Sequence, residues 1–187
     1  FSYNTISEVS PDSGLNPERY DKQVLVPFGE YVPYPFRWIH GLSKLDGPVG
    51  NFSSGQNPHV FQIKANGLRR PVRVGPLICY EDIFPYLSRK IVSQEVDFLF
   101  VCTNDAWFER EGCAEQHAAH SVLRALESGR PFLRCGNAGW SGWIDARGIV
   151  REVLENEEGS IYFEGAGLFE LCLLYTYDAA DEGLGVD

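Results

Sequence analysis

The segment Val72-Arg73-Val74-Gly75-Pro76-Leu77-Ile78-Cys79-Tyr80-Glu81-Asp82 decides the fold of this chain. It begins as a short apolar run with β-branched residues, which predicts a buried strand that ends at Cys79. Apolar residues then recur at helical intervals, and Pro85 falls in the first turn of the predicted helix, where a missing N–H is tolerated. A strand followed at once by a helix is the basic unit of an α/β sheet.

This order of elements places Cys79 at the carboxyl end of a strand, facing the positive end of a helix. A thiol in that position is presented as a nucleophile, which makes Cys79 a candidate catalytic residue. The alternative is a structural cysteine, because free cysteine is among the most buried residue types. On this segment alone, both interpretations stay open.

The rest of the chain extends the α/β pattern in both directions. Residues 1–19 are polar and rich in turn formers, so they predict a loop, and residues 20–27 predict a strand that carries Lys22. Residues 31–58 are irregular and rich in aromatic side chains, which predicts a lid or a lipid-contacting arm; packing as a satellite core is the alternative. We further predict helices at 82–94 and 113–128 and strands at 60–64, 72–79, 96–103, 131–135, 140–144 and 149–154.

Composition and charge narrow the functional classes. The net charge is −10 and no cluster of Lys or Arg occurs, so the sequence argues against a nucleic-acid partner. Five cysteines without a CxxC pair argue against a zinc site and a disulfide framework, and His117 and His120 lack a third ligand, so we predict no metal and no cofactor. The sequence contains no run of about eighteen apolar residues, so it predicts no membrane span within this chain. The chain contains no methionine, so we expect it to begin within a longer protein.

Four short segments stand out by their composition and their order. The first is 20–33, in which Lys22 is followed by Val-Pro-Phe-Gly-Glu; the others are 75–81, 103–108 and 124–131. Together they resemble the landmarks of the nitrilase superfamily of carbon–nitrogen hydrolases, and in particular its apolipoprotein N-acyltransferase branch. Several motifs in the right order are more specific than any single match.

The resemblance implies a fold and a domain organisation. Members of this superfamily have an α-β-β-α sandwich, of which residues 1–171 would form the later part, incomplete at the N-terminus. Residues 172–187 do not continue the family pattern and closely resemble a translated sequencing-library adapter. We therefore expect this tail not to be part of the natural protein, with a divergent acidic tail as the alternative.

The resemblance also implies a mechanism of acyl transfer through a thioester. Cys79 would be the nucleophile, and the ammonium of Lys22 would offset the negative charge of the tetrahedral intermediate. Glu30 would hold Lys22, and Glu81 is a further catalytic candidate, with stabilisation of a helix N-terminus as its alternative role. The general base of the family is a glutamate well upstream of this lysine. The chain has only two earlier glutamates, both too close to it, so we assign no base.

Three residues match positions that would contact substrate. Tyr80 would line the acyl pocket, although it could simply pack, and Trp107 would form part of the pocket wall, although a lone tryptophan near a strand end is more often core. Asn104 belongs to the same segment as Trp107 and is the third candidate.

By the same resemblance, the substrates would be a phospholipid acyl donor and a lipoprotein acceptor, whose lipidated N-terminal cysteine presents the amine. The enzyme would lie in the bacterial inner membrane through upstream spans, with its catalytic domain on the periplasmic side. The alternative function is a soluble carbon–nitrogen hydrolase of the amidase or nitrilase type, in which water replaces the amine. A remnant without turnover is the third interpretation of the chain alone.

Overall fold

The computed structural model describes residues 1–12, 14–36, 51–64, 67–68, 70–106 and 112–173. These residues form a small hairpin sheet and a larger mixed sheet. The hairpin pairs β1 (Thr5–Ser10) with β2 (Gly14–Asp21) in antiparallel fashion. The larger sheet has six strands in sequence order: β3 (Phe61–Ile63), β4 (Val72–Ile78), β5 (Phe98–Asn104), β6 (Phe132–Asn137), β7 (Gly142–Ile144) and β8 (Val150–Val153).

The centre of the larger sheet is parallel, and helices make its crossovers. Strands β4, β5 and β6 run parallel, whereas β3, β7 and β8 add antiparallel edges. A 3₁₀ turn (Cys79–Ile83) and helix α1 (Pro85–Val92) connect β4 to β5, and helix α2 (Cys113–Ser128) lies between β5 and β6. This arrangement confirms the α/β fold expected from the alternation of strands and helices.

From Val74 to Ile78, β4 is buried on both faces, which is why this part of its sequence is continuously apolar. On one face, Leu77 packs with residues of both helices, and Ile91 of α1 approaches Gly75 so closely that any side chain there would overlap it. On the other face, Val74 and Ile78 pack against Tyr20, which anchors the hairpin to the sheet. The strand that ends at Cys79 is therefore held from both sides.

The N-terminal prediction was wrong in two respects. Residues 1–19 are not a loop, because β1 and most of β2 lie there, with Pro11 and Asp12 in the turn between them. The hairpin is largely open to solvent, so its polar residues and turn formers concealed the strands. The predicted strand at 20–27 is also wrong, since β2 ends at Asp21 and Lys22 follows it.

The predicted helices agree more closely with the structure. The bounds of α2 agree with the prediction for 113–128, and Pro85 is the first residue of α1, as expected for a proline at a helix start. The helix predicted at 82–94 begins later, because a 3₁₀ turn occupies its first part.

Some predictions fall on residues that the structure does not describe. These are half of the 31–58 arm (37–50), Trp107 and nearly all of the tail (174–187). Within the described ranges, no helix combines the length and the apolar character needed to cross a bilayer.

Candidate active site

Cys79 follows β4 directly and opens the 3₁₀ turn, so a short turn, rather than the α-helix itself, comes after the cysteine. Its backbone is left-handed, with φ +51°, and its thiol is half-buried. A non-glycine residue in this conformation costs about 1–3 kcal/mol and persists only where its surroundings fix it. Because Ile78 pairs with Cys102 across the parallel ladder, Cys79 lies at the same end of the sheet as the carboxyl end of β5.

Lys22 lies just beyond β2, with a side chain that is 1% exposed. Its Nζ is 2.8 Å from Glu30 Oε2. Its backbone is fixed on both sides, because its N–H donates to the Asn4 carbonyl and its carbonyl accepts from Gly55. The lysine is thus a buried, oriented cation.

Glu30 is held by more than the lysine. Its Oε2 accepts from the backbone N–H of Val26 at 2.8 Å, and its Oε1 accepts from the side-chain amide of Asn4 at 3.0 Å. Burial alone would raise the pKa of Glu30, but the hydrogen bonds from Lys22, Val26 and Asn4 outweigh it and lower the pKa. Glu30 therefore stays ionised beside Lys22.

A cleft of about 670 Å³ brings these groups together. Its wall includes Lys22, Glu30, Cys79 and Asn104. The size of the cleft and its few polar side chains are typical of sites that bind small organic groups. The remaining lining is largely apolar and comprises Asn4, Thr5, Ile6, Val26, Pro27, Phe28, Gly29, Phe52, Ile78, Cys102 and Thr103.

Cys102 is a second thiol in the same cleft, with Cys135 opposite it on the next strand. Burial, together with the neighbouring Cys135, raises the pKa of Cys102 to about 11. The Cys102 thiol therefore stays protonated at neutral pH and does not compete as a nucleophile.

The predicted substrate-contact residues are placed differently from one another. Asn104 is exposed at the end of β5, and its side-chain Oδ1 accepts from Asn137 Nδ2 at 3.0 Å. Tyr80 stacks edge-on against Phe84, with ring centroids 5.0 Å apart, and is not part of the cleft wall formed by the described residues. Trp107 lies outside those residues.

Glu81 is completely buried and joins the Cys79 turn to the Lys22 segment. Its Oε1 accepts from the N–H groups of Gln23 (2.6 Å) and Val24 (3.1 Å). Its Oε2 accepts from the Tyr20 hydroxyl and the Ile78 N–H, both at 2.8 Å. Burial raises the pKa of Glu81, although these neutral donors oppose the rise. Glu81 contacts the chain on either side of Lys22, and its predicted catalytic role stays a prediction.

A buried polar network lies beneath the turn on the opposite side from Glu81. Asp82 is completely buried and accepts from His117 Nε2 at 3.0 Å, from the Ser121 hydroxyl at 2.7 Å and from Arg134 at 2.6 Å. These partners come from α2 and β6, so one carboxylate ties the turn to two further elements.

Asp105 completes this network from the end of β5. It accepts from His117 Nδ1 at 2.9 Å and from the Thr103 hydroxyl at 3.0 Å, and it lies 3.4 Å from Arg134. Burial would raise the pKa of Asp105, but His117 and Arg134 outweigh it and lower the pKa. Burial would likewise lower the pKa of His117, but Asp105 and Asp82 raise it to about 9.

This network was not predicted, because the spacing of His117 and His120 was weighed only as a possible metal site. A usable signal was present. His117 shares the buried face of α2 with Ala114, Ala118, Ser121 and Ala125, which recur at helical spacing. Among the described residues, no group of three or more metal-ligating side chains is arranged to hold a metal ion.

Comparison with known proteins defines the class. The carbon-nitrogen hydrolase family matches residues 1–164, so the chain belongs to that family. Among curated proteins, it is 42% identical over 133 residues to the apolipoprotein N-acyltransferase of Geobacter metallireducens, covering 71% of this chain and 24% of that protein. It is 34% identical over 170 residues to the apolipoprotein N-acyltransferase of Pseudomonas syringae pv. tomato, covering 90% of this chain and 32% of that protein. The chain thus spans about a quarter to a third of these relatives.

Solved structures share the fold. A CN-hydrolase superfamily protein of Xanthomonas campestris matches with a TM-score of 0.56 at 18% identity, covering 81% of this chain and 52% of that one. An amidase from a Nesterenkonia species matches with a TM-score of 0.54 at 18% identity, covering 80% of this chain and 50% of that one. At this identity, the likeness establishes the nitrilase-like architecture alone.

Proposed function

We propose that this chain is the cysteine-bearing catalytic part of an apolipoprotein N-acyltransferase. The observation that carries the proposal is the single cleft that collects Cys79, Lys22 and Glu30. Acyl transfer needs a presented nucleophile and a fixed cation for the developing oxyanion, and this cleft offers both. The similarity to N-acyltransferases from several bacteria supports the choice of reaction.

In the first half-reaction, the Cys79 thiolate attacks the ester carbonyl of a phospholipid. A C–S bond forms, and the carbonyl oxygen becomes an oxyanion whose charge the ammonium of Lys22 offsets. Collapse of this intermediate breaks the ester C–O bond. The lysophospholipid alkoxide leaves with the proton that came from the thiol, and the acyl chain stays on Cys79 as a thioester.

In the second half-reaction, the N-terminal amine of a diacylglyceryl-cysteine lipoprotein attacks the thioester carbonyl. A C–N bond forms, a second oxyanion passes through the same position, and the C–S bond breaks. The amine loses a proton to the general base, and the Cys79 thiolate is regenerated. Water in place of the amine would make the same site a hydrolase.

No residue of the described site suits the role of general base. Glu8 is engaged by Asn16, at 3.2 Å, on the hairpin, and Glu18 is an exposed residue 3.7 Å from His59. Among the described residues, the cleft wall includes neither of them. Glu30 is committed to Lys22. We propose that the base comes from outside this chain.

The character of the cleft fits a lipid substrate. Its wall includes Pro27, Phe28, Phe52 and Ile78, and Phe28 is 50% exposed. Phe28 contacts the exposed Phe36 edge-on, with centroids 5.6 Å apart, so an aromatic pair stands beside the cleft. As the resemblance implies, the donor is a phospholipid, the acceptor is a lipoprotein, and the enzyme works at the bacterial inner membrane on its periplasmic side.

The test uses a hybrid enzyme in which residues 1–171 replace the matching segment of the Pseudomonas syringae relative. After incubation with phospholipid, mass spectrometry should find a hydroxylamine-sensitive acyl adduct on Cys79. Cys79→Ala should abolish the adduct and the transfer to a lipopeptide amine, whereas Cys135→Ala, at an exposed cysteine, should change neither. An adduct on another residue, or release of free fatty acid without transfer, would contradict the proposal.

A further inference from the structure

Two consecutive carboxylates hold the Cys79 turn from opposite sides. Glu81 faces the Lys22 segment, where it accepts from Gln23 and Val24. Asp82 faces α2 and β6, where it meets His117 and Arg134. Because both carboxylates are completely buried, neither can exchange these partners for water.

His117 occupies the centre of the network on the Asp82 side. Its two ring nitrogens each meet a carboxylate: Nε2 lies 3.0 Å from Asp82 and Nδ1 lies 2.9 Å from Asp105. A carboxylate accepts hydrogen bonds, so both nitrogens must carry a proton, and the ring is an imidazolium. With Arg134 as the second cation, two positive and two negative charges balance in this buried space.

We infer that His117 is a positioning residue of the active site, which as an imidazolium fastens the Cys79 turn to the strand end that carries Asn104. Asp82 lies in the turn that Cys79 opens, and Asp105 follows Asn104, so the ring connects two walls of the cleft. This inference rests on Cys79 being the nucleophile of the proposed function.

The geometry around the ring leaves little freedom for a substitute. A side chain at position 139 would overlap the Asp105 carboxylate, so Gly139 closes the network from the turn after β6. Asp105 is further fixed through its N–H, which donates to the Asn137 carbonyl at 3.0 Å. A neutral side chain at 117 could satisfy one carboxylate, but it would leave the other beside a single cation. The left-handed conformation of Cys79 would then lose one of its two supports.

The test compares His117→Gln with Ser121→Ala in the full 187-residue chain. Ser121 donates to the same carboxylate of Asp82, but its removal leaves all four charges in place, which makes it the matched control. The rate of alkylation of Cys79 by iodoacetamide is followed by mass spectrometry well below the unfolding temperature, with exposed Cys135 as the internal reference.

We expect His117→Gln to slow Cys79 alkylation at least about tenfold relative to Cys135, because a displaced reacting atom loses its orientation. Ser121→Ala should stay within about twofold of the parent chain. If His117→Gln does not fold, Arg134→Lys is the second variant: its single ammonium cannot serve both carboxylates, so the same selective loss is expected.

An unchanged ratio of Cys79 to Cys135 alkylation in a folded variant would overturn the inference, even if its unfolding temperature fell. That result would show a purely structural role. The alkylation measurement involves no acyl transfer, so its result can be interpreted even if the proposed function proves wrong. Conversely, an acyl-transferring hybrid with His117→Gln at the parent kcat and KM would overturn the positioning role alone.

Discussion

Lys22 Nζ and Glu30 Oε2 are 2.8 Å apart, in side chains that are 1% and 15% exposed. The pair is formed by one short stretch of chain that leaves β2, passes a turn at Val26 and returns. Since Asn4 and Val26 also donate to Glu30, the carboxylate is anchored independently of the lysine. The ammonium of Lys22 is thus positioned by Glu30, a carboxylate whose own place in the cleft is already fixed.

Lys22→Arg should not be a conservative change. The guanidinium is planar and wider than the ammonium, and the site around Lys22 is almost closed to solvent. Loss of one oxyanion donor typically lowers the rate by about 10²–10³. Transfer kinetics of the hybrid enzyme will measure this, with Lys64→Arg at an exposed position as the control. Activity within a few-fold of the parent would argue against the role of Lys22.

Glu30→Gln should leave the Lys22 ammonium without its anionic partner in a buried position. We expect the hybrid enzyme to lose about 10–100-fold in kcat, and the free energy of unfolding to fall by about 1–3 kcal/mol, since a charged hydrogen bond is replaced by a neutral one. Denaturant unfolding and transfer kinetics are the measurements. Glu18→Gln, at an exposed glutamate, should leave both unchanged.

Stability should decline on the alkaline side because of His117. The two carboxylates beside His117 raise its pKa to about 9, above the ordinary histidine value of 6.5. The imidazolium therefore contributes its full stabilisation below about pH 6.5, and this contribution disappears as pH rises to about 9, a change on the order of 3 kcal/mol. The groups that face His117 are Asp82, Asp105 and Arg134. Denaturant unfolding between pH 6 and pH 9.5 should show this slope in the chain. His117→Gln should flatten it, and an equal slope in both would refute its origin.

The 187-residue chain alone should be inactive in acyl transfer. Its cleft contains Cys79, Lys22 and Glu30, but neither Glu8 nor Glu18 lines the described cleft wall, where a general base would have to lie. Removing one member of a catalytic unit costs most of the rate. Thioester formation with a phospholipid donor in detergent should be undetectable. An acylated product would make Glu8 and Glu18 the first candidates for the base.

Removal of residues 172–187 should leave the domain intact. The core comprises residues from β4 to β7 and both helices, and it includes neither Cys172 nor Leu173, the two tail residues that the structure describes. The midpoint of thermal unfolding should therefore stay within about 1 °C of that of the full chain. A clear drop would show that the tail packs on the domain and belongs to the natural protein.

The sequence predicted the elements whose pattern is local. Helix α2 was found from helical spacing and the glycine after it, and the end of β4 at Cys79 from an apolar run that stops abruptly. The β1–β2 hairpin was missed because it shows no apolar alternation, and Pro17 in β2 argues against a central strand. Such a strand is recognised only through its pairing.

The same distinction between local patterns and long-range contacts applies to the candidate site. Cys79, Lys22 and Glu30 came from motifs, and the structure brings them to one cleft. Helical spacing places His117 on the buried face of α2, but it does not identify the partner of this residue. The contacts of Asp82 with His117 and Arg134 could not be predicted, because these residues lie 35 and 52 positions away in the sequence. The pairing of buried charges depends on the three-dimensional packing of the elements, and the periodicity of a single sequence does not predict that packing.

The opposite orientation of Glu81 and Asp82 also bears on the order of folding. Apart from the bond between Ile78 and Glu81, the hydrogen bonds that hold the turn connect residues separated by 35 to 61 positions. Contacts of such sequence separation form only after the loops between them have closed, so they arise late compared with helix α2. A nascent or partly unfolded chain therefore does not hold Cys79 in the left-handed conformation of the folded domain. On the proposed function, Cys79 would therefore act as the nucleophile only after the whole domain has assembled around it.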